Sequence, residues 1–514
     1  MSSAGVRAQP TLSVAAACGI CALLRLPAFR YDVISDDEAI YHAMARTLAL
    51  GGVMYRDAVD HKPPGLAYTY AFLHWLSPGS GALAMALVHL LGLIAAMGTC
   101  LALYAIAKRV LRPGLWAMPP LLYAVFSACM QPTDGLAVNG ELLMNWPLAL
   151  CVLAALIATK EPLRAFAFDV LAGALGAVAT LYKYQAAVVL LALPALWIAD
   201  PRWPSLVRRA LATALGVLLP VAAVAFYFRS NGALSDAYLW GIAFNRSYIG
   251  EGPGFAWALQ RFAAQLAGVV LPAAALWLAG IFALVALARR KPQDDVVAFR
   301  AFLVVWTALS LAAVAAGARF FGHYFLQAEV PLSLLAAGGV ARLFAARPRL
   351  AAASLAAPAL LFLCIATAKE ITQPIFSGRD PDYRAIGKAI AARTLASDTI
   401  WVWGNVPQLY YGASRRPGVR FSFCNYLTGL SPATPSEYDD QDDPGRQALG
   451  WAWDLVFQDL SANKPALVLD TAAAGIKSYG KFPIRKFPKF AEYLAAHYRT
   501  EGDLEGVVVY RRVD

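Results

Sequence analysis

Apolar stretches long enough to cross a bilayer core recur from Leu12 to Ala366, and after Ile371 the chain turns polar and mixed. The pattern predicts spans near 11–29, 81–107, 114–130, 141–159, 165–180, 185–199, 206–228, 263–288, 299–318, 324–345 and 350–368. The expected architecture is therefore an α-helical polytopic membrane protein of about 11 transmembrane helices, followed by a soluble α/β domain. The division falls between residues 1–369 and 370–514. Beyond it, strand-like runs at 399–403, 466–470 and 506–510 alternate with helical patterns at 447–460 and 487–496. A stretch rich in Ser, Pro, Asp and Glu at 430–444 reads as a solvated loop. Within the first polar gap, Asp36 and Asp37 precede Ile40, Met44 and Leu48, spaced every four residues, and Gly51-Gly52 follows. This predicts an amphipathic helix lying along the membrane surface.

Composition changes the picture little, since 59% hydrophobic and 15% charged residues with a mean hydropathy of +0.53 already demand lipid contact. The net charge of +11 is more informative by its distribution. Basic residues gather in short clusters between spans: Lys108, Arg109 and Arg112; Lys160 and Arg164; Arg202, Arg208 and Arg209; Arg289, Arg290 and Lys291; Arg342, Arg347 and Arg349. Such clusters set topology rather than bind nucleic acid, and they place the N-terminus inside. The loops at 30–80, 131–140 and 229–262 and the C-terminal domain then lie outside. The apolar run at 12–26 reads as the first span and not as a cleaved signal peptide. Of the seven cysteines only Cys424 falls in the soluble part, so no disulfide framework is expected. Neither internal repeats nor a phosphate-binding or dinucleotide glycine motif is present.

Candidate chemistry concentrates in the first loop, where Ser35-Asp36-Asp37-Glu38 is followed by His61-Lys62-Pro63-Pro64-Gly65. A carboxylate there can take a proton from a hydroxyl, and a lysine can neutralise a phosphate. The competing reading is a helix N-cap with interfacial charges. Pro63-Pro64 fixes two φ angles and restricts where Lys62 points. Arg319, His323 and Tyr324 stand at the mouth of a span, where ionisable groups are costly unless they meet a polar cavity or snorkel to headgroups. Lys183 carries the same two readings. Asp36, Asp37, His42 and His61 do not form a recognisable metal-ligand spacing. Trp401, Trp403, Tyr410, Tyr411, Phe421, Phe423 and Tyr426 suit a small α/β core better than a sugar platform.

The succession Asp37-Glu38, Tyr41, Arg46, Gly52, Tyr55, Asp57 and His61-Lys62-Pro63-Pro64-Gly65 resembles the first loop of the bacterial relatives of protein O-mannosyltransferases and of the lipid A aminoarabinose transferases. These are glycosyltransferases of the GT-C fold. The resemblance continues through Asn139-Gly140-Glu141, Lys183-Tyr184-Gln185, and Arg319-Phe320-Phe321-Gly322-His323-Tyr324-Phe325 leading into Pro331. It implies inverting transfer of a monosaccharide from a polyprenyl-phosphate donor of the undecaprenyl type to an acceptor hydroxyl. Asp37 matches the general base, with Asp36 and Glu38 beside it in a doubled acid whose register is open by one residue. Lys62 matches the lysine set against the carrier phosphate, and Arg319, His323 and Tyr324 are expected to join it. Glu141, Asn139, Tyr41, His61 and Lys183 are expected around the sugar or acceptor.

No cofactor is required on this reading; a divalent metal is chemically admissible without a motif to support it. The expected partners are the lipid-linked donor, a lipid, glycan or protein acceptor, and membrane lipids. The expected location is a bacterial inner membrane, with the site and the C-terminal domain facing the periplasm. A lipid or sugar transporter and a non-catalytic envelope assembly protein are the rival classes.

Overall fold

The computed structural model describes residues 13–161, 163–198, 201–246, 254–288, 294–372, 382–434 and 448–514. Leu12, the cluster Arg289-Arg290-Lys291, residues 435–444 of the acidic loop and Gln447 lie outside the described residues.

Over the described residues every predicted span is helical, but the helices differ in length. Seven are long and apolar enough to cross a membrane: Gly81–Val110, Gly140–Thr159, Ala165–Tyr182, Trp203–Ser230, Ala298–Ala315, Gly322–Ala346 and Pro348–Ala368. A bent pair, Phe255–Val270 and Ala274–Ala286, meets at 106° and passes the same test only when taken together. Pro272 sits in the break, where its missing N–H and its ring end the hydrogen-bond ladder. The spans expected at 11–29, 114–130 and 185–199 are shorter pieces: Val14–Arg25 with a 3₁₀ turn, Met118–Phe126, and a broken apolar run over Tyr184–Trp197.

Small residues set the closest helix approach. A Cβ on Gly216 would lie 1.9 Å from the Val170 carbonyl oxygen, and one on Gly173 would lie 2.1 Å from that of Thr213. The helices Ala165–Tyr182 and Trp203–Ser230 thus pack backbone to backbone, as membrane helices do where glycine permits. The buried pair Arg209–Asp169, at 3.1 Å, ties the same two helices.

The first-loop helix forms at Asp36–Leu48, capped by Ser35, whose hydroxyl accepts from the Glu38 N–H at 3.3 Å. Its setting departs from the expected surface position, because protein covers both faces. Tyr41 packs on Tyr70 of the helix Pro64–Trp75, with ring centroids 5.5 Å apart. On the opposite face His42 meets Tyr411 at 5.0 Å, and Arg46 donates to the Ser414 carbonyl at 2.8 Å. Ala43, with no bulk beyond Cβ, admits Tyr383, Ile386 and Tyr410 into one buried cluster.

Those partners lie on the helices Tyr383–Ala392 and Gln408–Ala413 and the turn after them, which pack on a five-stranded sheet of order β2-β1-β3-β5-β4. β1 is Thr399–Trp403, β2 Arg416–Pro417, β3 Leu467–Asp470, β4 Tyr498–Leu504 and β5 Val507–Arg512. β1 pairs in parallel with β2 and β3, whereas β5 runs antiparallel to β3 and closes a hairpin with β4. Every residue of β1 and β3 is buried, as befits strands covered on both faces. Trp403, Trp453, Phe487 and Phe490 fill one covering layer, with centroids as close as 4.9 Å. The predicted strands and the helices Ala452–Asn463 and Pro488–His497 all form; the polar strand β4 and the helices Tyr383–Ala392 and Gln408–Ala413 were not predicted.

Candidate functional site

The first loop, the turn at 131–140, the segment around Phe244, the 319–324 segment and the sheet's loops converge on one cavity of about 1110 Å³. It is larger than the roughly 300–1,000 Å³ usual for small-molecule sites. Leu309, Ala312, Ala313 and Ala316 give it an apolar stretch of wall, and charged residues line much of the rest.

Asp37, in the first turn of its helix, presents Oδ1 2.8 Å from Lys62 Nζ. Lys62 also lies 3.8 Å from Asp60 Oδ2 and 5.2 Å from the centre of the Tyr41 ring beneath it. Two devices aim this lysine. Pro63 and Pro64 begin the next helix directly after it, and Tyr55, held at φ 72°, donates its hydroxyl to the Lys62 carbonyl at 2.8 Å. Burial alone would raise the Asp37 carboxyl, but the Lys62 ammonium, helped by His323 and Lys183, holds it below the ordinary aspartate value. Burial would lower Lys62 in turn, yet Asp37, Tyr41 and Asp60 hold it well above the usual lysine value. Asp60 is treated alike: burial opposes ionisation, and Lys62 with His61 overrides it and depresses the carboxyl.

The doubled acid divides. Asp36 Oδ1 accepts from Lys477 Nζ at 2.6 Å and from Gln408 Nε2 at 2.5 Å, both from the C-terminal part. Glu38 is shut out of the cavity: fully buried, it accepts from the backbone N–H of Ile34 at 2.7 Å and of Val138 at 2.8 Å, with His89 Nε2 at 3.4 Å. It staples the first loop to the second, so the expectation of a catalytic Glu38 gives way to a positioning role.

The second loop supplies another charged pair. Glu141 Oε1 lies 2.8 Å from Lys183 Nζ, which stands 4.6 Å from the Tyr324 ring centre. Burial disfavours the Lys183 charge, but Glu141 and Tyr324 raise it above the ordinary lysine value. Asn139 lines the cavity at 2% exposure, and neither polar atom of its side chain has a partner among the described residues. A buried amide with no protein partner can hydrogen-bond a ligand that enters the cavity. His323 Nδ1 and its backbone N–H both reach Asp134 Oδ1, at 2.8 and 3.0 Å. Arg319, 1% exposed, donates to Ser431 Oγ and the Pro432 carbonyl, each at 2.7 Å. Ala318 and Phe320 on either side take left-handed backbone, φ 55° and 46°, so the arginine is held on a strained turn. His61, Asn139, Lys183, Arg319, His323 and Tyr324 all line the cavity, while Tyr41 and Glu141 stand behind it as supports.

No protein-family model matches the chain, and no curated protein does. Solved structures do. ArnT from Cupriavidus metallidurans bound to undecaprenyl phosphate superposes with a TM-score of 0.62 at 14% identity, over 97% of each chain. The archaeal oligosaccharyltransferase AglB from Archaeoglobus fulgidus, in complex with an inhibitory peptide and a dolichol-phosphate, gives 0.56 at 14% identity, over 98% of this chain and 74% of that one. The chain has the GT-C fold. With its apolar helices, it is a multi-pass membrane protein. The GT-C fold expected from the first-loop residues is thus the one found.

Four charged residues of this GT-C cavity were not foreseen from the sequence: Asp60, Asp134, Arg261 and Lys477. Asp60 adjoins His61-Lys62 and could have been read with them. Asp134 follows Pro132 in the short second loop, and Gly322 is needed for its approach, since a Cβ there would lie 2.4 Å from Asp134 Oδ2. Arg261 opens onto the cavity from the bent pair, with Nε unpartnered among the described residues. Lys477, distant in sequence, carries no local signal. Among the described residues no group of three or more His, Cys, Asp or Glu side chains could hold a metal ion. A solved Archaeoglobus fulgidus oligosaccharyltransferase in complex with Zn and sulfate shares the fold at a TM-score of 0.51.

Proposed function

We propose that this GT-C protein is an inverting glycosyltransferase that moves a monosaccharide from a polyprenyl phosphate to an acceptor hydroxyl. The observation that carries the reading is the contact of Asp37 with Lys62, 2.8 Å apart in the wall of a cavity that Leu309, Ala312, Ala313 and Ala316 also line. One group can accept a proton, its neighbour can meet a phosphate, and the apolar wall suits a prenyl chain. The undecaprenyl phosphate bound to ArnT, a protein of the same fold, supports this choice of carrier.

In the reaction, the acceptor O–H gives its proton to Asp37 as its oxygen attacks the anomeric carbon. The bond from that carbon to the phosphate oxygen breaks on the opposite face, and its electron pair leaves with the polyprenyl phosphate. Lys62, Arg261 and Arg319 meet the charge that grows on the phosphate, and Tyr324 adds a neutral donor. Asn139 and Lys183, the lysine held in place by Glu141 behind it, hold the transferred sugar. Positive charge at every stage comes from side chains, so chelators leave the reaction untouched on this account.

The reading also places the cavity and the C-terminal domain, from about residue 370, on the periplasmic side of a bacterial inner membrane. The basic clusters between spans favour that orientation. Purified protein incubated with labelled undecaprenyl-phosphate sugars tests the proposal. Release of free undecaprenyl phosphate with label passing to an acceptor or water supports an enzyme. Saturable binding with the glycosyl bond intact under all conditions supports a transporter or assembly protein instead.

A further inference from the structure

The C-terminal part does more than cover the first loop. In the order β2-β1-β3-β5-β4, the chain leaving β1 turns toward β2, and the chain leaving β3 turns the other way, toward the β4–β5 hairpin. Divergence between neighbouring parallel strands opens a crevice beyond their carboxyl ends, where α/β sheets commonly hold ligands. Trp403 and Asp470, the last residues of β1 and β3, are register partners, so the two departing loops start side by side.

Both loops send polar groups into the cavity. Asn405 comes from the first, and its Oδ1 is buried without a partner among the described residues. Lys477 comes from the second, where Lys477 and Ser478 hold left-handed backbone at φ 49° and 65°. That turn carries the ammonium to Asp36 Oδ1, which Gln408 also meets. Both bonds fall on one oxygen, so among the described residues Oδ2 is left to accept from a ligand.

We propose that this crevice is the acceptor subsite and that its ligand is a saccharide. Asn405, Asp36 and Lys477 grip hydroxyls of the sugar that carries the attacking oxygen, and Asp37, the next residue, takes the proton. The assignment of Asp37 rests on the transfer reaction proposed above; saccharide binding in the crevice does not. The chemistry selects the ligand. Lys477 already faces a carboxylate, so the crevice offers no bare cation to a phosphate. Asn405 Oδ1 and Asp36 Oδ2 are hydrogen-bond acceptors, which suit hydroxyls. A peptide held in extended form would seek a sheet edge, but β1 and β3 are interior strands.

The test uses the full chain in lipid nanodiscs and saturation-transfer NMR. The probes are methyl glycosides of glucose, galactose, mannose and N-acetylglucosamine, a Ser/Thr-containing hexapeptide, and undecaprenyl phosphate. At least one glycoside should bind, and Lys477→Met and Asn405→Ala should each weaken it at least fivefold while leaving undecaprenyl phosphate affinity unchanged. Binding of the peptide alone, or of no glycoside while undecaprenyl phosphate binds, overturns the saccharide subsite. Unchanged glycoside affinity in both variants does the same. Failure of undecaprenyl phosphate to bind, with glycoside binding intact and sensitive to both variants, instead overturns the donor reading and leaves the subsite standing.

Discussion

Replacing Lys62 by methionine keeps the length and apolar bulk of the side chain and deletes its charge. Two consequences follow from one contact. The ammonium 2.8 Å from Asp37 is the group proposed to meet the donor phosphate. A charge-assisted hydrogen bond of that kind contributes about 1.5–3 kcal/mol, and each ~1.4 kcal/mol is tenfold, so donor affinity should fall by roughly 10- to 150-fold. The second consequence concerns pH. With Lys62 present, Asp37 ionises below the ordinary aspartate value, and the acid limb of kcat/KM should lie below about pH 3.9. Without it, the main cause of the lowering disappears and burial remains, so the limb should move up. Stability follows the same sign. The depressed Asp37 stabilises the fold fully above its unfolded value of about 3.9, and that contribution drains away as pH falls through the lower folded value. Lys62→Met should therefore flatten the acid side of the stability curve. Equilibrium binding of undecaprenyl phosphate, with kcat/KM profiles from pH 3 to 8, measures both effects. A variant that binds donor as tightly as the parent and keeps its acid limb in place would refute the assignment.

Asp37→Asn should cut kcat by about 10²–10⁴, the usual worth of a general base, with donor affinity unchanged or slightly tighter; single-turnover transfer separates the two. Asp36→Asn should spare the proton-transfer step and raise the acceptor KM, visible as a KM change with kcat within a few-fold of the parent. Lys183→Met should strand the Glu141 carboxylate, 2% exposed, and cost up to about 3–5 kcal/mol of stability, read as a lower thermal midpoint in detergent; Glu141→Gln in the same background should recover much of it. Gly216→Ala places a methyl 1.9 Å from the Val170 carbonyl oxygen, and the forced separation of the two helices should destabilise the protein by about 1–3 kcal/mol, again seen as a lower midpoint.

The membrane helices, the parallel strands β1 and β3 and the start of the first-loop helix were legible in the chain because each rests on local physics. A long apolar run must leave water, a buried parallel strand is apolar throughout, and Ser35 before three acids is an N-cap wherever it occurs. The pairing of an acid and a lysine across the first loop was likewise visible as composition within one segment. Other features needed the third dimension. Nothing in Ser35-Asp36-Asp37-Glu38 says that three adjacent acids go to three different places, and helical geometry separates them. Successive side chains point about 100° apart, so Asp36 turns to Lys477, Asp37 to Lys62 and Glu38 inward to Val138. The expectation that the first-loop helix lies on the membrane surface missed its protein cover, because an alanine-rich face fits lipid or protein alike and the elements that cover it come about 350 residues later. Sequence by itself determined which segments leave water and which residue types could do chemistry. Tertiary structure alone decided which of those charges face each other, since electrostatic pairing depends on distances of a few ångströms between residues that chain order holds far apart.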